Sequence, residues 1–131
     1  MSTVGEHMSR TLYATDPDTF AHEAVDEMVK NRISALLVKG ERDYEWIITK
    51  TDWMLLVLRG EVDPKAVKVG DIMTRIVNTV DVNQTIAEAC AVIQEKKVRH
   101  LPVKENGKIV GMLSVKDIET YFTKLHKLTE F

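Results

Sequence analysis

Residues 98–118 read Val-Arg-His-Leu-Pro-Val-Lys-Glu-Asn-Gly-Lys-Ile-Val-Gly-Met-Leu-Ser-Val-Lys-Asp-Ile. The apolar run 100–103 is too short for a helix and is placed like a buried strand, and 109–114 predicts a second strand. Between them Asn106-Gly107 supplies the residue types that a tight hairpin turn needs at positive φ. At the end of the second strand, Ser114 and Asp117 stand three apart where a helix is expected to begin.

The same order occurs 65 residues earlier, with strands predicted over 34–38 and 46–49 and a helix starting near Asp52. Sliding the chain by 65 places positions 4–53 on 69–118 without a gap, and eleven of those 50 positions are identical. Average composition gives roughly three by chance. Among the identities are Gly5/Gly70, Met8/Met73, Glu23/Glu88, Leu36/Leu101, Val38/Val103 and Asp52/Asp117.

Before each strand pair the apolar spacing is helical. Ala21, Ala24, Val25 and Met28 recur as Ile86, Ala89, Cys90 and Ile93, each set at i, i+3, i+4, i+7. This spacing makes Cys90 a core residue. The later helix opens on Thr85-Ile86-Ala87-Glu88, a capping box in which hydroxyl and carboxylate each satisfy an orphan backbone N–H. The earlier one keeps Glu23 but has Phe20 at the cap position, a weaker start. Residues 59–68, with Gly60, Asp63 and Pro64, read as a connection with turn signals. The expected fold is therefore α/β: two β-α-β-β-α repeats related by a pseudo-twofold, each a small sheet with two helices on one side. The expected boundaries are 4–60 for repeat 1, 61–68 for a linker and 69–125 for repeat 2, with a helical extension to 131.

Composition narrows the function classes. In 131 residues, 44% are hydrophobic and 29% charged, which suits an ordinary globular domain rather than a disordered chain. Eighteen basic against 20 acidic residues leave a net charge of −2, with no global field to draw in nucleic acid or an anionic membrane. The longest apolar run, 53–58, falls far short of the roughly 20 residues that span a bilayer, and no apolar signal core opens the chain. A cytoplasmic protein is expected. One cysteine cannot form an internal disulfide, and His7, His22, His100 and His126 have no metal-ligand spacing. No activated nucleophile, Gly-rich phosphate loop or dinucleotide fingerprint is present, so neither an enzyme nor a metal site is expected.

Three strings of the second copy carry a family resemblance: Val69-Gly70-Asp71-Ile72-Met73-Thr74, Arg99-His100-Leu101-Pro102-Val103, and Gly111-Met112-Leu113-Ser114-Val115-Lys116-Asp117-Ile118. In this order, with a partial copy 65 residues earlier, they resemble paired cystathionine β-synthase (CBS) domains, the Bateman module, over nearly the whole chain. The resemblance implies a non-catalytic regulatory unit that binds an adenosine nucleotide (AMP, ADP, ATP, NAD or S-adenosylmethionine) in clefts between the repeats. It implies an energy-sensing role exerted on some other, unknown effector protein, with no cofactor beyond the regulatory nucleotide.

Site residues follow from both lines of reasoning. At a strand-to-helix junction the Ser114 hydroxyl can donate to a phosphate beside free backbone N–H groups, and Asp117 can accept from both ribose hydroxyls; Thr49 and Asp52 repeat the pattern. A helix cap requires the same residue types, and both readings stand. The resemblance adds Val77 and Thr79 beside the adenine, Arg99 and His100 near phosphate, and Leu101 on the strand behind. In the first copy Ala14 replaces Thr79, Ser34 and Ala35 replace Arg99 and His100, and Leu37 replaces Pro102. Thr49 and Asp52 therefore mark a weaker second site. Trp46 stands where the second copy has Gly111, and strand parity turns it away from Thr49.

The helix after Asp52 is apolar almost all round: Trp53, Leu56 and Val57 make one stripe, Met54, Leu55 and Leu58 another. Its counterpart keeps Ile118, Tyr121, Phe122 and Leu125. A homodimer through both helices is expected. The alternative function is a ligand-free structural module for oligomerisation or protein interaction.

Overall fold

A computed structural model describes residues 2–129. In chain order its elements are α1 (Val4–His7), β1 (Ala14–Thr15), α2 (Ala21–Asn31), β2 (Ala35–Lys39), β3 (Tyr44–Thr49) and α3 (Lys50–Arg59). A 3₁₀ turn at Pro64–Ala66 leads to α4 (Val69–Ile72), β4 (Thr74–Arg75), β5 (Val80–Asp81), α5 (Ile86–Lys96), β6 (His100–Glu105), β7 (Lys108–Ser114) and α6 (Val115–Thr129). The mixed α/β fold and the twice-repeated strand, helix, strand, strand, helix order are as expected. Residues 130 and 131, to which the final helix was expected to extend, lie outside the described residues.

Local chemistry accounts for most boundaries. Asn106 and Gly107 take φ of 51° and 78° and reverse the chain between β6 and β7. Thr85 Oγ1 accepts from Glu88 N at 3.1 Å while Glu88 accepts from Thr85 N at 3.2 Å, closing the capping box of α5. Phe20 gives α2 no side-chain cap. Both helices end on a basic residue in the left-handed region, Arg32 and Lys97, each at φ 54°.

Packing sorts these elements into two compact units that cut across the sequence repeats. The first is Tyr13–Ile76; the second joins residues 2–12 to residues 77–129. The leading segment of each repeat thus packs in the unit built on the other.

In the first unit the sheet order is β1-β2-β3-β4, with β1 parallel to β2 and the other pairs antiparallel. Segment 67–76 is tied in by Ala21 N donating to Val67 O at 2.8 Å and Gly70 N donating to Pro17 O at 2.9 Å. Val69 joins Met28, Leu36, Val38 and Ile48 in the core. Trp46 packs against this core, and the Arg75 guanidinium lies 5.2 Å above its ring.

In the second unit β5 runs parallel to β6, and β6 antiparallel to β7. Ser9 and Met112 exchange backbone hydrogen bonds of 2.9 and 3.0 Å along β7, and Gly5 N donates to Val82 O at 2.9 Å. Val4 and Met8 enter the core with Val80, Ile86, Leu101, Val103, Leu113 and Ile118. Gly111 admits this segment: a Cβ there would lie 2.7 Å from both Met8 Sδ and the Ser9 carbonyl oxygen.

Candidate functional site

The β6–β7 register places His100 directly opposite Ser114, so the two side chains share one face of the sheet. Three residues on, in the first turn of α6, Asp117 Oδ2 accepts from Ser114 N at 2.8 Å and from Ser114 Oγ at 3.0 Å. Asp117 N donates back to Ser114 Oγ at 3.2 Å. Arg99 joins the group through its backbone, its carbonyl accepting from Val115 N at 3.0 Å, while its side chain is exposed. Arg99, His100, Ser114 and Asp117 therefore come together at one end of the hairpin.

Val77 and Thr79 precede β5, whose parallel ladder with β6 begins at Val80↔Val103 and leads back toward the His100 end. Val77 is 78% exposed and Thr79 half-buried. Leu101 is different: its side chain is fully enclosed in the core of the second unit, and only its backbone remains for a ligand.

The first unit repeats the junction. Thr49 N donates to Asp52 Oδ2 at 2.8 Å, Thr49 Oγ1 lies 3.2 Å from the same oxygen, and Asp52 N donates to Thr49 Oγ1 at 3.3 Å. The Ser34 carbonyl takes the place of Arg99 and accepts from Lys50 N at 3.1 Å, and Ala35 stands opposite Thr49 where His100 stands opposite Ser114. The capping geometry is common to both units. The cation and imidazole beside it belong to the second.

Both aspartates thus make the bonds of a helix cap. In each case these run through Oδ2, and Oδ1 takes part in none of them. Burial lowers the His100 pKa from its ordinary 6.5, neighbouring Arg99 pushes the same way, and Asp117 opposes them. Cys90 is half-buried on α5 and packs against the core of the second unit, and burial raises the pKa of its thiol. Among the described residues no group of three or more His, Cys, Asp and Glu is placed to hold a metal ion, and no helix is long and apolar enough to cross a membrane.

Sequence reasoning passed over one further cluster. Glu6, His7, Thr120, Tyr121 and Lys124 line a hollow that also touches Asp117. The signal was present in the repeat itself, since His7 answers to Ile72 and Tyr121 to Leu56.

Comparison with known proteins places these features in context. The CBS domain family model matches residues 4–58 and 69–124. The chain is 32% identical to a CBS-domain protein of known structure from Burkholderia ambifaria, at a TM-score of 0.87 over 94% of this chain and 95% of that one. It is 34% identical over 116 residues to an inosine-5'-monophosphate dehydrogenase of Staphylococcus haemolyticus, covering 86% of this chain. The crystal structure of CBSX2 in complex with AMP shares its fold at 22% identity, with a TM-score of 0.82 over 96% of this chain and 99% of that one. Against three curated relatives, the dehydrogenase among them, the chain spans 60%, 22% and 54% of their own lengths.

Proposed function

From the chain's membership of the CBS-domain family, we propose that it is a non-catalytic regulatory module that takes an adenosine nucleotide in its second unit. The observation that carries this reading is the Ser114–Asp117 pair beside His100 and Arg99. A carboxylate anchored through one oxygen presents the other, Oδ1, to the ribose hydroxyls. The α6 N-terminus and Arg99 offer positive charge to phosphate, and the His100 imidazole adds a hydrogen-bonding group beside them. Val77 and Thr79 flank the adenine, and Leu101 contributes its backbone. Thr49 and Asp52 form the weaker counterpart, without a cation or imidazole at 34 and 35. The AMP complex of CBSX2, which shares the fold, supports AMP as the first ligand to test.

Thermal unfolding with millimolar AMP, ADP, ATP, NAD and S-adenosylmethionine tests the proposal. A ligand at 100 times its dissociation constant stabilises by about 2.7 kcal/mol, and no shift with any of them rejects nucleotide binding. A change in the activity of a partner protein when the nucleotide binds would then mark the module as an energy sensor. We take it to work in the cytoplasm.

A second reading, a homodimer with or without nucleotide, is favoured by α3. None of its residues is buried, and Leu55 and Leu58 are 47% and 76% exposed. Phe122 and Leu125 are exposed on α6 in the same way. Covering these residues with a second copy removes apolar surface from water.

A further inference from the structure

At one place the two units fill equivalent positions with opposite chemistry. In the first unit α4 packs near α3, and the chain carries Ile72 on one helix and Leu56 on the other. Sixty-five residues away in each case, the counterparts on α1 and α6 are His7 and Tyr121. Their rings meet at a centroid separation of 4.5 Å, tilted by 60°. His7 Nε2 is buried and has no hydrogen-bond partner among the described residues. Such a nitrogen has given up water without compensation. The fold does not require it, because the same helix pair in the first unit uses two aliphatic residues.

His7 and Tyr121 line a hollow of about 160 Å³ between α1 and α6, together with Glu6, Asp117, Thr120 and Lys124. Its charges are two carboxylates and one ammonium. Asp117 is held by Ser114 through Oδ2, so Oδ1 is the oxygen it can offer. The Thr120 hydroxyl donates to the Lys116 carbonyl at 3.0 Å and keeps its lone pairs as acceptors. The complement of this set is a small molecule bearing an ammonium and a carboxylate.

We propose that the α1/α6 hollow binds a free amino acid, its ammonium held by Glu6 and Asp117 and its carboxylate by Lys124. The rings of His7 and Tyr121, which meet at 4.5 Å, form the wall against its side chain. The site lies entirely within the second unit. It shares Asp117 Oδ1 with the nucleotide reading, so the two ligands would compete for that oxygen.

Thermal unfolding of the full chain with each of the common amino acids at about 10 mM tests it. At least one should raise Tm by about 2 °C or more. The rise should vanish in Lys124→Glu, an exposed change that leaves the core untouched, and in His7→Ile/Tyr121→Leu, which installs the pair found in the first unit. If the double variant folds poorly, Lys124→Glu alone decides. No rise with any amino acid, or an undiminished rise in Lys124→Glu, overturns the proposal. AMP in the same assay separates the two sites: a response to AMP alone removes this site and spares the nucleotide reading, and a response to an amino acid alone does the reverse.

Discussion

One oxygen of Asp117, Oδ2, accepts from both the backbone nitrogen and the hydroxyl of Ser114, at 2.8 and 3.0 Å. The bond pair fixes the carboxylate against the start of α6, so a helix cap and a positioned acceptor are the same object. Stability and ligand affinity are therefore coupled at this residue, and experiments on it must read both.

Asp117→Ala removes the acceptor for the ribose hydroxyls. Loss of a charge-assisted pair should cost about 1.5 to 3 kcal/mol, or roughly 10- to 100-fold in AMP affinity by calorimetry. Asp52→Ala should change it far less, because Ser34 and Ala35 stand at that junction in place of a cation and an imidazole, and Ala14 replaces Thr79. Each variant should also lose about 0.5 to 2 kcal/mol of stability with its cap, measured by urea unfolding without ligand. Equal losses of affinity would place nucleotide in both units.

His100 makes stability depend on pH with a defined sign. Its folded pKa lies below 6.5, so the unfolded chain takes up the proton first as pH falls. The folded state then loses stability from about pH 6.5 downward, until the folded imidazole is itself protonated, and this contribution is constant above that range. Urea midpoints measured from about pH 8 to about pH 5 should therefore fall more steeply for the parent than for His100→Gln. Parallel curves would show that the imidazole is not held out of water.

Gly111→Ala should destabilise by about 1 to 3 kcal/mol, the usual cost of overpacking. The added carbon would meet the Ser9 carbonyl at 2.7 Å, a backbone atom that cannot turn aside. Chemical unfolding reads the change, and proteolysis should find residues 2–12 more accessible than in the parent. A neutral substitution would show that this segment docks more loosely than its Ser9–Met112 bonds indicate.

Sedimentation at micromolar concentration should give twice the 14.9 kDa of the chain. Leu55→Asp, at an exposed position of α3, should return it to a monomer with its melting behaviour otherwise preserved. A parent that sediments as a monomer would leave the apolar residues of α3 for a different partner.

What could be read in the sequence was local. Asn106-Gly107 and Thr85-Glu88 specify a turn and a cap through neighbours within four positions, and both formed as expected. The parity argument turned Trp46 away from Thr49, and Trp46 packs against the core of its unit. Segment docking was hidden, because Val4–His7 is too short to show periodicity and its partners, Val82 and Gln84, lie far along the chain. Leu101 was assigned to the ligand beside His100, although alternation along a strand sends neighbours to opposite faces. His7 was weighed as a metal ligand and set aside; comparison with Ile72 would have singled it out.

The division into units also sets a timetable for synthesis. Residues 13–76 hold all the strands of their own sheet and can finish folding as soon as they emerge. Segment 2–12, made earlier, must wait for Met112 before Ser9 has a strand to bond. At 5–20 residues per second that is roughly 5 to 20 s of translation. During this interval Val4 and Met8, both core residues of the finished molecule, are exposed to solvent and to any chaperone nearby. The closing contact, within the second unit, then forms after the first unit is complete. The slowest and most vulnerable stage of biogenesis is thus expected at the Ser9–Met112 bridge, where the start of the chain is joined to its last strand.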